Sequence, residues 1–160
     1  MSGGEEEDHA GVIAHPPVLY LGFLLAGLAA DWAFGLPSLT SLSGISGILP
    51  AAVLGAAGFA LLFAAAWRFV KAGTNIPTHR PSTALVTQGL YRFSRNPIYL
   101  GLTLIYLALV LGLGSLAALA LLPALLAVME IGVIRREERY LEGKFGEAYR
   151  AYKQRVRRWL

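Results

Sequence analysis

Long apolar blocks separated by short polar segments dominate the hydrophobic pattern of this chain. The blocks cover residues 18–36, 48–69 and 97–129, and the last runs for 33 residues without a charged side chain. One helix of that length would measure about 50 Å, whereas the hydrocarbon core of a bilayer is about 30 Å thick. The third block is therefore predicted to break within residues 112–115 and to form a tight helical hairpin.

The pattern predicts an all-α fold, an integral membrane bundle of four transmembrane helices. Residues 1–15 are expected to form an acidic N-terminal tail, and residues 16–160 a single membrane domain. Over residues 135–160 apolar side chains recur every three or four positions, which predicts C-terminal amphipathic helices. These helices should lie along the membrane surface or fold back over the bundle. Gly143 and Gly146 are the positions where this segment is expected to divide.

Composition and charge narrow the class of protein. Hydrophobic residues make up 56% of the chain and charged residues only 15%, which is far from an ordinary soluble domain. The chain has no cysteine, which excludes disulfides, thiolate catalysis and cysteine-based metal sites. Its three histidines lack metal-ligand spacing, so no metal site is predicted. The chain has a net charge of +4, and its basic residues flank the apolar blocks. This placement favours membrane lipids over nucleic acid as partner.

The positions of the basic residues predict the orientation in the membrane. All 14 Lys and Arg residues follow residue 67, and none lies within residues 37–47 or at the predicted hairpin turn. With four spans, the central polar segment and the C-terminal tail lie on the same side. The positive-inside rule makes that side cytoplasmic, together with the N-terminus, in a multi-pass protein.

A polar, basic segment over residues 84–101 precedes the third apolar block. Asn96 and Pro97 predict a helix start, because Asn is a preferred N-cap and Pro suits the first helical position. A helix N-terminus beside Arg92 and Arg95 attracts anionic groups. The alternative is that these arginines only anchor the chain at the membrane interface. Four tyrosines could be interface anchors in the same way, and they are Tyr91, Tyr99, Tyr149 and Tyr152.

Acidic residues around the end of the third block are further candidates. Glu130 lies in an apolar stretch, so its side chain should point into the bundle or a polar cavity. Glu137 follows seven residues later, two helical turns on, which predicts that both share one helix face. Glu137 and Glu138 follow two arginines, so a surface ion-pair cluster is the alternative. Asp31, near the end of the first block, is expected only to reach water.

These segments are similar to one known family. The family motif has an Arg-His-Pro-x-Tyr-x-Gly block, a Glu pair on the helix after a hairpin, and a Phe-Gly…Tyr…Tyr tail. Residues 89–101, the pair Glu137 and Glu138, and residues 145–156 match it. On these residues the chain resembles the isoprenylcysteine carboxyl methyltransferase family, and related membrane phospholipid methyltransferases share the pattern. The resemblance covers about residues 83–156.

The resemblance implies an S-adenosylmethionine-dependent methyltransferase with a cytoplasmic cofactor site. The acceptor would be lipophilic, an isoprenylcysteine carboxylate or another small lipid, and S-adenosylhomocysteine would be a product. Carboxylates suit the cofactor's ammonium group, aromatic rings suit its sulfonium, and a helix N-terminus with Arg95 suits its carboxylate. The residues that the resemblance places at the cofactor are Ala84, Leu85, Val86, Tyr91, Asn96, Pro97, Tyr99 and Glu137.

Two positions depart from the family pattern. Asn96 stands where the motif has His, and an amide cannot titrate near neutral pH, which excludes a general base there. Val133 stands where eukaryotic carboxyl methyltransferases carry an Arg for the substrate carboxylate. The catalytic candidates are therefore Arg95 and Glu130, the latter as the base that an amine acceptor would need.

Three alternatives stay open at this point. A phospholipid amine N-methyltransferase would differ only in its acceptor. An NADPH-dependent membrane reductase would be a different reaction class on a similar bundle, and a non-catalytic membrane scaffold would bind no cofactor at all.

Overall fold

The computed structural model describes residues 10–40, 47–76 and 81–160, and all regular secondary structure in these ranges is helical. Most of the expected acidic tail lies outside them. Four apolar helices come first along the chain: α1 (Pro16–Phe34), α2 (Ile48–Lys71), α3 (Pro97–Leu113) and α4 (Leu116–Met129). Two shorter ones follow, α5 (Arg135–Phe145) and α6 (Glu147–Arg155). A 3-10 turn at Gly89–Arg92 precedes α3, and a π turn at Glu130–Ile134 joins α4 to α5.

Three helices are long and apolar enough to cross a membrane: α1, α2 and the continuous helix Leu116–Phe145. The apolar helix α3 has 17 residues, which is about 26 Å and slightly less than the hydrocarbon core. The break predicted within residues 112–115 is present. Gly114 ends α3 with a φ of 68°, and the Ser115 hydroxyl accepts a hydrogen bond from the backbone N of Ala118 in α4.

The four apolar helices alternate in direction. At one end of α1 the backbone N of Ile13 donates to the Gly132 carbonyl, and at the other end Asp31 reaches Ala117, so α1 and α4 are antiparallel. Helices α2 and α3 are also antiparallel, since Gly101 near the start of α3 lies against Gly58, whereas Gly112 near its end lies against Ala51. Tyr20 in the first half of α1 bonds to Thr103 in the first half of α3, so these two helices run in the same direction. The bundle therefore has two ends, called here the Asn96 end and the Gly114 end.

Asp31 ties α1 to α4 at the Gly114 end. Its carboxylate accepts a hydrogen bond from the backbone N of Ala117 at 2.9 Å and another from the Ser115 hydroxyl. The first backbone N–H groups of a helix have no partner within it, so these bonds stabilise the start of α4. The expectation that Asp31 only reaches water missed this capping role, because it depends on a residue 86 positions away.

The C-terminal segment differs in part from the prediction. The last apolar helix continues through the π turn into the amphipathic segment and ends at Phe145. The tail then divides at Gly146, which has a φ of 51°, whereas Gly143 lies inside α5. Helix α6 folds back over the bundle, as one of the two expected arrangements, and the Tyr152 hydroxyl donates to the Tyr91 carbonyl at 2.7 Å.

The close approach of α2 and α3 gives a testable prediction. A Cβ atom at Gly58 would lie 2.8 Å from the Gly101 carbonyl oxygen, whereas one at Gly55 would meet its nearest neighbour at 3.5 Å. We expect Gly58→Ala to lower the free energy of unfolding by about 1–3 kcal/mol because of overpacking. Gly55→Ala should be neutral or stabilising, since alanine favours a helix. Denaturant titration in mixed micelles measures both variants, and equal effects would contradict the prediction.

Candidate functional site

A cavity lies at the Asn96 end of the bundle, between the segment over residues 82–99 and helices α5 and α6. Its volume is about 60 Å³, below the roughly 300–1,000 Å³ that small-molecule sites occupy, so a ligand the size of a nucleoside requires the surrounding segments to move apart. Seven of the eight residues that the family resemblance places at a cofactor line it; they are Ala84, Leu85, Val86, Tyr91, Asn96, Tyr99 and Glu137. The eighth, Pro97, is buried at the first position of α3.

Glu137 and Tyr99 join α5 to α3 in the cavity wall. The Tyr99 hydroxyl donates to Glu137 Oε1 at 2.6 Å, and the two residues are only 4% and 6% exposed, respectively. The Tyr99 carbonyl in turn accepts hydrogen bonds from the hydroxyls of Tyr20 and Thr103. A buried carboxylate is thus held in one orientation, facing the cavity.

Arg95 lies in the same wall, paired with Glu138. Its Nη1 is 3.1 Å from Glu138 Oε1, and the exposed fractions of the two side chains are 9% and 8%. That contact lacks hydrogen-bond alignment, and within the described residues Arg95 Nε and Nη1 have no hydrogen-bond partner. Buried polar groups are nearly always hydrogen-bonded, so these two donors suit an anionic group in the cavity.

The π turn explains why Glu130 and Glu137 differ in their surroundings. A π turn holds more residues than an α turn, so residues beyond it are rotated relative to a regular helix. Glu137 lines the cavity, but Glu130 is not among the lining residues and instead pairs with Arg135 and Arg158. Glu130 and Glu137 therefore do not both face the cavity, contrary to the prediction that they share one helix face.

The tyrosines are buried rather than exposed at an interface. Tyr91, Tyr149 and Tyr152 line the cavity and are at most 6% exposed. Burial raises the pKa of each of these phenols well above its ordinary value, so all three remain neutral at physiological pH. The alternative of an aromatic belt is wrong for them. Arg92, by contrast, is exposed, as an interface anchor would be.

Asn96 occupies the N-cap position of α3 but does not cap it. Helix α3 begins at Pro97 as predicted, yet the Asn96 side chain makes no bond to the first turn. Its Nδ2 instead donates to the Arg158 carbonyl at 2.9 Å. The expected capping bond is therefore wrong, and the amide is oriented instead by a carbonyl from a distant part of the chain.

Sequence reasoning assigned no cofactor role to several lining residues. Glu138 adjoins Glu137, and Tyr149 and Tyr152 belong to the tail motif, so the sequence carried a signal for these three. Nothing local marked Phe69, Ile76 or Ser82. In the parts of the chain that are described, no group of three or more His, Asp or Glu residues is placed to hold a metal ion.

Comparison with known proteins bears on this arrangement. The family model described as phospholipid methyltransferase matches residues 47–148, which include the loop before α3 and the acid pair of α5. The chain belongs to this phospholipid methyltransferase family. Membership agrees with the resemblance found in the sequence, and with the apolar helices it indicates a membrane methyltransferase.

Other similarities are limited. An uncharacterized protein of Haemophilus influenzae is 55% identical over 64 residues, which cover 39% of this chain and the whole of that protein. No solved structure matches the chain. The phospholipid methyltransferase match leaves out α1 and residues 149–160, and therefore Tyr149, Tyr152 and Arg158.

Proposed function

We propose that this protein transfers a methyl group from S-adenosylmethionine to a lipophilic acceptor and releases S-adenosylhomocysteine. The observation that supports this most is one cavity lined by a buried carboxylate, Glu137, and a buried guanidinium, Arg95, which is ion-paired with Glu138 but has no aligned hydrogen bond at Nε or Nη1 among the described residues. The amino acid part of S-adenosylmethionine carries an ammonium and a carboxylate. The two side chains have the complementary charges for these groups.

The remaining lining residues fit the rest of such a ligand. Leu85, Val86 and Leu141 offer an apolar wall, and Tyr91 and Tyr149 offer aromatic rings. Aromatic rings pack against a nucleobase and attract a sulfonium cation. The bound cofactor supplies an electrophilic methyl group. The protein would contribute by holding donor and acceptor in line and by excluding water from the cavity.

The proposal assigns proton transfer to no side chain. Glu130, the candidate base from the sequence, lies outside the cavity lining and is paired with two arginines, Arg135 and Arg158. A carboxylate or thiolate acceptor needs no strong base. An amine acceptor must lose a proton, and in that case Glu130 is the residue to test first.

We further propose that α1–α4 cross the membrane four times, with the cavity and both termini on the cytoplasmic side. The alternating directions of the four helices support four crossings, although α3, with 17 residues, is shorter than α1, α2 and the continuous helix Leu116–Phe145. The basic residues that the structure describes lie toward the Asn96 end, from Arg68 at the end of α2 to Arg158. The positive-inside rule places that end in the cytoplasm.

Calorimetry on the purified protein in detergent tests the cofactor. We expect S-adenosylmethionine and S-adenosylhomocysteine to bind and NADPH not to bind. Binding of NADPH without either of the other two would contradict the proposal in favour of a reductase. Absence of all binding would favour a non-catalytic scaffold.

The acceptor requires a separate measurement, because the phospholipid methyltransferase match favours a second candidate, a phospholipid amine. Membrane lipid extracts are incubated with the protein and methyl-labelled S-adenosylmethionine. Label in methylated phosphatidylethanolamine would identify the amine acceptor, whereas base-labile label would identify a methyl ester.

A further inference from the structure

The segment that follows α6, called here the C-terminal strap (residues 156–159), lies across the loop that leads into α3. The backbone N of Arg95 donates to the Arg157 carbonyl at 3.0 Å. The Arg158 carbonyl accepts from the Asn96 amide at 2.9 Å and from the Ser94 hydroxyl at 3.3 Å. Three consecutive loop residues are therefore bound to the strap, and the middle one is Arg95.

The Arg158 side chain reaches the acids on the opposite wall. Its Nε lies 3.0 Å from Glu138 Oε1 and its Nη2 lies 2.7 Å from Glu138 Oε2, a bidentate pair, while Nη1 donates to Glu130. Glu138 Oε1 is also the atom that faces Arg95 Nη1. Arg158 thus holds both oxygens of the carboxylate against which the Arg95 guanidinium rests.

The strap lies outside the matched family region. The match ends at residue 148, ten residues before Arg158. Asn96, which donates to the strap, stands where the family motif has His. Asn96 itself lies within the matched region, so the contact joins that region to a segment beyond it.

We propose that Arg158 is a positioning residue, which acts through Glu138 to aim the Arg95 guanidinium into the cavity. The inference rests on the proposed function, since the ligand that Arg95 would meet is the S-adenosylmethionine carboxylate. A bidentate Arg–carboxylate pair restrains geometry more than a lysine does, because the planar guanidinium matches both oxygens. Arg158 itself is not required to touch the ligand.

The test is a double-mutant cycle read by calorimetry with S-adenosylhomocysteine. We expect Arg158→Gln to raise the dissociation constant about tenfold, within the usual effect of losing a charged hydrogen bond. Arg158→Lys should recover part of the affinity. In an Arg95→Ala background Arg158→Gln should add less than about twofold, because its effect passes through Arg95. Glu138→Gln should show the same coupling to Arg95, and it replaces Arg158→Gln if that variant does not fold.

Arg155→Ala is the matched control. Arg155 is exposed, and its Nε donates only within α6, to the Ala151 carbonyl, so its loss should leave the affinity unchanged. Equal effects of Arg158→Gln with and without Arg95 would mean that the strap is merely structural, which would overturn the proposal. Unchanged affinity in Arg158→Gln would overturn it as well. A wild-type protein that binds neither form of the cofactor would instead refute the proposed function.

Discussion

Replacing Glu137 by glutamine is expected to weaken S-adenosylmethionine binding by about 1.5–3 kcal/mol, the usual contribution of a hydrogen bond to a charged group. This corresponds to roughly a 10- to 150-fold rise in the dissociation constant. The buried carboxylate lines the cavity and is oriented by Tyr99 at 2.6 Å. The amide keeps the shape of the side chain and an acceptor for Tyr99, but it loses the charge. Calorimetry in detergent measures the change.

Glu142→Gln is the control for Glu137→Gln. Glu142 lies on the same helix, but it pairs with Lys153 and Arg150 and does not line the cavity. We expect its variant to bind the cofactor as the wild type does. If Glu137→Gln also bound with unchanged affinity, Glu137 would not be part of the site.

Replacing Arg95 by alanine is expected to lower both cofactor affinity and stability. Affinity should fall roughly 10- to 100-fold, because the positive charge in the cavity lining is lost. Breaking a buried ion pair costs about 3–5 kcal/mol when the partner is left alone. Here Glu138 keeps its bidentate contact with Arg158, so the loss of unfolding free energy should lie below that range. Calorimetry and denaturant titration in micelles measure the two effects.

Arg92→Ala provides the comparison for Arg95→Ala. Arg92 lies three positions earlier in the same segment and is exposed. Its loss removes the same charge without touching the cavity, so both measurements should match the wild type. Equal losses of affinity in the two variants would show that net charge, and not the placement of Arg95, supports binding.

The sequence predicted the parts of this protein that depend on local pattern. The start of α3 at Pro97 and the break at Gly114 follow from residues with strong positional preferences. The family motif placed Glu137 and Tyr99 at one site, and the structure brings them into contact. The two helix boundaries follow from neighbouring residues, whereas the pairing of Glu137 with Tyr99, 38 positions apart, follows from the family resemblance.

The sequence failed where distant contacts or irregular geometry decide the outcome. The prediction that Glu130 and Glu137 share one face assumed a regular α-helix. The chain instead forms a π turn at Glu130–Ile134, which changes their relative orientation. The partners of Asp31 and Asn96 lie 86 and 62 positions away, so no local pattern could indicate them. Arg158 had no signal of its own, because a basic residue after an amphipathic helix is ordinary.

The continuous helix Leu116–Phe145 fixes the depth at which any reaction would occur. From its cap at Ser115 to Glu137 there are 22 residues, about 33 Å at 1.5 Å per residue, close to the thickness of the hydrocarbon core. If this helix crosses the membrane as proposed, with Ser115 at one face, its acids lie at the level of the opposite headgroups. A lipid that diffuses within that leaflet would meet the cavity without being lifted out of the bilayer.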